Sequence, residues 1–167
     1  MARIILLGCG GSGKTRLARL LAQRMGVPAI ILDEIWRSDW TAADTPAFRA
    51  TLRGLHAADA WVSDGNFAAV SFDIRLPRAT QIVWVEAPRG LCLLRATLRV
   101  FRRDSGHRIG GLRKAYAFVW NFDRINRPRI EALRQQFGPD QPVVRLRGSK
   151  AVTDFIDAAT TNHHGRA

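Results

Sequence analysis

Gly8-Cys9-Gly10-Gly11-Ser12-Gly13-Lys14-Thr15 satisfies the pattern G-x-x-x-x-G-K-[ST] at every fixed position. The apolar run Ile4-Ile5-Leu6-Leu7 comes just before it and reads as a buried strand. Arg16 to Met25 follows, with Leu17, Leu20, Leu21 and Met25 at helical spacing. A glycine loop between a strand and a helix is the setting in which this pattern cradles phosphate. Backbone N–H groups must point into a concave loop, and side chains would obstruct the approach. Gly8, Gly10, Gly11 and Gly13 are expected to supply that freedom. The helix start adds unpaired N–H groups and the positive end of its dipole. Lys14 is expected to reach the β- and γ-phosphates, and the Thr15 hydroxyl to ligate Mg²⁺. With Ser12, the loop residues are the expected nucleoside triphosphate contacts.

The 167 residues suit one domain, and a hydrophobic content of 47% suffices for a core. No apolar run is long enough to span a bilayer, and the first strand starts at once, which predicts no signal peptide. Cys9 and Cys92 lack metal-ligand spacing, and a reducing cytoplasm is the expected compartment. The net charge is +12, and nearly all the basic residues are arginine. They can line an anion site, form a nucleic-acid surface, or reflect arginine-rich coding with solvated side chains.

Beyond the loop, strands are expected at Val27 to Leu32, Ala60 to Ser63, Gln81 to Val85 and Val143 to Leu146. Asp33 and Asp64 then fall at strand C-terminal ends, where open α/β sheets place ligands. Thr45-Pro46 reads as a helix cap followed by proline at the first helical position. Arg49, Arg53 and His56 fall on a solvated face of that helix. Phe67 to Pro77 reads as irregular or briefly helical. A helix from about Arg89 to Arg103 carries Arg95, Arg99, Arg102 and Arg103 on one face, which suits either an anionic ligand or solvent. Asp104 to Gly111 reads as a mobile loop. Leu112 to Asn126 is helical, and Pro128 is expected to break it before a continuation. Val152 to Ala159 forms a last helix, and the tail from 160 to 167 is expected to fray. Strands alternating with helices predict a parallel sheet covered on both faces.

With these elements in place, the chain resembles the adenylate-kinase-like branch of P-loop proteins. More narrowly it is similar to the small proteins called DNA topology modulation, or FlaR-like, proteins. The resemblance rests on the loop, Leu32-Asp33, the Trp61 to Asn66 element, the arginine helix and the Trp120 to Ile130 element. It implies a three-layer P-loop NTPase fold with a five-stranded parallel sheet in the order 2-3-1-4-5 and a short lid at about 104–111. It implies ATP and Mg²⁺, with Asp64 as the acidic residue that orders the metal, directly or through water, and Asp33 as the one that meets the acceptor hydroxyl or the metal. Turn-capping is the alternative for both carboxylates. Arg99 and Arg103 resemble the R-x-x-x-R pair leading into a nucleotide-kinase lid, and Arg108 lies within that lid.

Two departures matter. The lid is too short for the long or zinc type, and Asp64-Gly65-Asn66 lacks the Phe-Pro-Arg continuation of adenylate kinases. The acceptor therefore need not be a nucleotide. The resulting expectation is a kinase-like phosphotransferase on a small metabolite or nucleotide. The alternative is a nucleotide-dependent nucleic-acid-binding protein using its basic surface. No membrane partner is expected.

Overall fold

Ile4 to Leu7 is apolar at every position because both faces of its strand are covered. The computed structural model describes residues 2–36, 39–102 and 108–164, with the side chains of 99–102, 108–111 and 161–164 outside the description. Strand β1 (Arg3–Gly8) lies at the centre of a five-stranded sheet. Its neighbours are β3 (Trp61–Asp64) on one side and β4 (Gln81–Glu86) on the other, both parallel to it. Strands β2 (Ala29–Ile31) and β5 (Val143–Arg147) form the edges, also parallel, giving the order 2-3-1-4-5.

Alternation along β1 divides the core. Ile4 and Leu6 pack with α1 (Lys14–Met25) and α8 (Gly148–His164). Ile5 and Leu7 pack with α3 (Thr45–Leu55), α4 (Ala68–Arg75) and α7 (Arg127–Phe137). Successive strand side chains point to opposite faces, so the two clusters are two helical layers on one sheet. The remaining helices are the single turn α2 (Leu32–Ile35), α5 (Arg89–Arg102) and α6 (Arg108–Asn121). Helices α5 and α6 pack on each other.

Several local expectations change. Thr45 is the first helical residue of α3 and not its cap. Thr41 caps a tight turn at Ala42–Asp44 instead, with Asp44 reaching back to the Thr41 N–H at 2.7 Å. Of the two readings of the segment from Phe67 to Pro77, irregular or briefly helical, the helical one holds. Pro128 does not break the α6–α7 run. It follows closely on a π turn, so the run accommodates a residue that cannot donate at the point where its hydrogen-bond register changes. The register shift falls earlier, in a π turn at Phe122–Asn126. The expected lid loop is shorter too, since Arg108 already opens α6. The rest of it, and Arg103, lie outside the described residues.

His56 was expected to be solvated and is fully buried. Its N–H still donates to the Leu52 carbonyl at 3.0 Å, so it continues the helical spacing of buried Phe48 and Leu52 at the edge of their stripe. Nδ1 lies 2.8 Å from the Leu52 carbonyl and Nε2 lies 2.9 Å from Ser63 Oγ. Burial pulls its pKa from 6.5 down to about 4, against the Leu52 hydrogen bond. The unfolded chain therefore takes up a proton below pH 6.5 while the folded one does not. This stability is complete above pH 6.5 and is lost as pH falls toward 4, about 3 kcal/mol in all. Urea unfolding at pH 7.5 and 4.5 should show a larger acid loss in the wild type than in His56→Gln. Equal losses would remove His56 as the cause.

Candidate phosphate-binding site

The glycine loop joins β1 to α1 at the C-terminal edge of the sheet. Two of its glycines are forced by contact. Gly8 has φ 142°, and a Cβ there would stand 2.3 Å from the Val85 carbonyl oxygen. Gly11 has φ 84°, and its Cβ would stand 2.5 Å from the Cys92 carbonyl oxygen. Gly10 is different: its Cβ would make only an ordinary contact with the Phe118 ring at 3.6 Å. Its glycine is therefore not required by the surrounding fold.

Lys14 Nζ donates to the Cys9 carbonyl at 2.8 Å, and the Ser12 N–H donates to the same oxygen at 3.2 Å. Arg95 Nη1 donates to the Gly11 carbonyl at 3.1 Å and lies 3.4 Å from that of Ser12. Three loop carbonyls are thus engaged by donors, which offsets their repulsion of an anion. The arginine face of α5 has a demonstrated contact here through Arg95. Arg99 lies on the same helix, but its side chain, like that of Arg108, is outside the described residues.

Asp64 ends β3 beside Leu6 of β1 and Ile31 of β2. It is 1% exposed. The Thr15 hydroxyl donates to its Oδ2 at 2.5 Å, while Oδ1 is buried without a hydrogen-bond partner. Burial raises the Asp64 carboxyl above its usual range, against the Lys14 charge and the Thr15 hydrogen bond, with Asp33 adding to the rise. Ser12 Oγ is likewise buried and unpartnered. A hydroxyl and a carboxylate with a spare oxygen are the hard donors that Mg²⁺ takes, so these residues fit that ion. Asp33 is exposed in α2, directly after β2, and close enough for its charge to reach Asp64.

The Asp-Gly-Asn element holds more than its acid. Asn66 Oδ1 accepts the Gly8 N–H at 3.2 Å, and Nδ2 donates to the Gly8 carbonyl at 2.9 Å. This side-chain amide therefore ties the end of β3 to the start of the loop. Arg75, fully buried on α4, supports it from behind. Its guanidinium donates to Ser71 Oγ, Ser63 Oγ and the carbonyls of Gly65 and Asn66 at 2.9–3.2 Å. Burial pulls the guanidinium down to about 9, with the Asp64 charge opposing. Sequence reasoning gave Arg75 no role, because it lies in a stretch without clear periodicity.

Beside the loop, at the end of β4, is a cavity of about 480 Å³. Cys9, Glu86, Arg89, Phe122, Arg127 and Arg147 are among its lining. Glu86 accepts from Arg127 at 2.8 Å, from Arg145 at 3.2 Å and from Arg147. Burial would raise the Glu86 carboxyl, but the hydrogen bonds from Arg147 and Arg145 and the Arg127 charge outweigh it and lower it. Arg127 and Arg145 also stack on the Trp84 ring, at 5.4 and 5.6 Å from its centre. Phe122 and Arg127 fall within the Trp120 to Ile130 element, but nothing in the sequence joins that element to Glu86 of β4 or to Arg145 and Arg147 of β5.

Other arginines are committed internally: Arg49 to Asp73, Arg134 to Glu131, Arg24 to Asp157 and Arg19 to Glu34. Among the described residues, no group of three or more His, Cys, Asp or Glu is placed to hold a metal, and no helix is long and apolar enough to cross a membrane.

No family model matches the chain, and no curated protein does. Solved structures do. A shikimate kinase from Acinetobacter baumannii in complex with shikimate has a TM-score of 0.61 at 20% identity, over 97% of this chain and 94% of that one. A shikimate kinase from Bacteroides thetaiotaomicron gives 0.55 at 17% identity, over 96% of each chain. A gluconokinase from Sinorhizobium meliloti 1021 gives 0.55 at 15% identity, over 99% of this chain and 93% of that one. At these identities the likeness is one of architecture, and with the sheet order 2-3-1-4-5 and the glycine loop in place, the chain has the P-loop kinase fold.

Proposed function

We propose that this protein is an ATP-dependent phosphotransferase acting on a small hydroxyl-bearing metabolite. The observation that carries the reading is the convergence of Lys14, Thr15 and a buried Asp64 with one free oxygen on a single glycine loop. Phosphoryl transfer asks a protein mainly for positioning and for neutralisation of phosphate charge. Lys14 and the loop amides would hold the phosphates. Thr15 and Asp64 would hold Mg²⁺, whose chemistry there is to neutralise charge between the phosphates. Asp33, exposed beside Asp64, would orient the acceptor hydroxyl. Arg99, Arg103 and Arg108 would approach the transferred group from the junction of α5 and α6 and help exclude water. The neighbours include kinases that act, by their names, on shikimate and gluconate, which supports a non-nucleotide acceptor. The Trp61 to Asn66 and Trp120 to Ile130 elements support a place with the FlaR-like proteins inside this fold.

The test is ATP turnover against a panel of hydroxylated metabolites and nucleotides, with two variants alongside. Asp64→Asn should weaken Mg²⁺-dependent nucleotide binding. Asp33→Asn should spare ATP binding and remove acceptor-stimulated turnover, a loss of about a hundredfold or more if it orients the nucleophile. Wild-type turnover in both variants would return the two carboxylates to turn-capping roles. ATP-dependent DNA binding with a steep salt dependence and no turnover would favour the nucleic-acid alternative.

A further inference from the structure

Cys9 and Cys92 are far apart in sequence and meet at the phosphate loop. Cys9 is the second residue of the loop and partly exposed, and Cys92 lies buried in the first turn of α5. Both line the 480 Å³ cavity, which gives small solutes a route to them. The two thiols lie close enough to shift each other's titration, and the Cys92 S–H donates to the Ala87 carbonyl at 3.8 Å. The backbone is close as well, since Gly11 can have no Cβ without striking the Cys92 carbonyl.

We propose that Cys9 and Cys92 form a redox-modified dithiol site, which hydrogen peroxide or an organic hydroperoxide closes to a disulfide that disables the phosphate loop. The consequence for nucleotide rests on the phosphotransferase reading; the dithiol chemistry does not.

The two thiols are unequal. The Cys9 S–H hydrogen bond lowers Cys92 to about 7; burial opposes this, and the charges of Lys14 and Arg95 assist it. Cys9 is pushed up by the same partnership and by burial. Cys92 also stands in the first turn of α5, where the positive end of the helix dipole favours a thiolate, so it is the attacking sulfur and Cys9 the resolving thiol. Cys92 sulfur attacks the terminal peroxide oxygen, the O–O bond breaks, and Cys92 becomes a sulfenic acid while the other oxygen leaves as an alcohol or water. Cys9 sulfur then attacks the sulfenic sulfur, the S–O bond breaks, and hydroxide leaves as water with the Cys9 proton. Two thiols lose two electrons and two protons, and one peroxide is reduced.

The effect on the loop follows from geometry. The two sulfurs must close to a bond of ~2.05 Å. That draws Cys9 toward α5, while Asn66 holds neighbouring Gly8 on the opposite side. The Cys9 carbonyl, which positions Lys14 and the Ser12 amide, moves with it. The oxidised loop no longer presents its donors as phosphate requires.

The experiment uses the full chain, reduced with dithiothreitol, desalted and exposed to hydrogen peroxide. Remaining thiols are alkylated and the peptides are mapped by mass spectrometry, with non-reducing gels to separate internal from intermolecular bonds. ATP–Mg affinity is measured by calorimetry before and after. The expected result is an internal Cys9–Cys92 link, a loss of affinity of about tenfold or more, and recovery of both by dithiothreitol. Cys92→Ala should bind ATP–Mg as the reduced wild type does and be insensitive to peroxide; Cys92→Ser serves if the alanine variant does not fold. Independent oxidation of the cysteines, intermolecular links only, or an internal link with unchanged affinity would each overturn the proposal. An internal link in a protein that binds no ATP–Mg when reduced would uphold the dithiol and sink the phosphotransferase reading.

Discussion

Lys14→Ala is expected to yield a folded protein whose thermal midpoint no longer rises with ATP–Mg. The lysine is partly exposed at the start of α1 and donates to the Cys9 carbonyl. Losing one such hydrogen bond costs about 1 kcal/mol of stability, so the fold survives. Its charge is another matter. Phosphates gathered in a concave loop need a cation within contact distance, and no neutral side chain replaces it. Ligand at a hundred times its dissociation constant stabilises a protein by about 2.7 kcal/mol, which moves the midpoint of a chain this size by roughly 5–10 °C. The wild type should show that shift and the variant almost none. Equal shifts in both proteins would mean that nucleotide binds elsewhere.

Arg75→Leu is expected to have the largest effect on stability. The guanidinium is fully buried and serves Ser63, Ser71 and the carbonyls of Gly65 and Asn66. Leucine would fill part of the volume but leave those carbonyls facing it without donors. Each buried acceptor so orphaned costs about 1–3 kcal/mol, and a total of ~4 kcal/mol lowers the midpoint by roughly 10 °C. Arg75→Lys should recover only part of this, since one ammonium cannot span the same acceptors in a planar fork. The loss should extend to the site, because Asn66 also holds Gly8. Calorimetric melting of the three proteins measures it. A loss below about 1 kcal/mol in the leucine variant would show that water re-satisfies the turn.

The parts of the site that a reader of the sequence can find are those compressed into one local pattern. Gly8 to Thr15 is such a pattern, and so is Asp64 at the end of an apolar run. The sheet order came from resemblance, and the register confirms it. What escaped is what distance in sequence conceals. Arg75 joins the site through the carbonyls of residues nine and ten positions away, across a turn with no periodicity. Glu86 gathers arginines from two later elements, and each alone resembles a solvated surface charge. His56 sits where the solvated and buried faces of the helix meet, four residues after buried Leu52, and spacing alone does not decide between them. Pro128 reads as a break because proline is destructive within a helix, yet the π turn just before it lets the run continue. Arg103 and the side chains of Arg99 and Arg108 lie outside the described residues.

That continuity at Pro128 has a spatial consequence. Arg108 to Phe137 is a single helical rod, roughly 45 Å long at ~1.5 Å per residue, with its π turn near the middle. Phe122, the first residue of that turn, is embedded in the core, and Arg127 just beyond it is pinned to Glu86. Two side chains at that midpoint, Phe122 and Arg127, both line the cavity beside the phosphate loop, so the helical run meets the site at its centre and not at its ends.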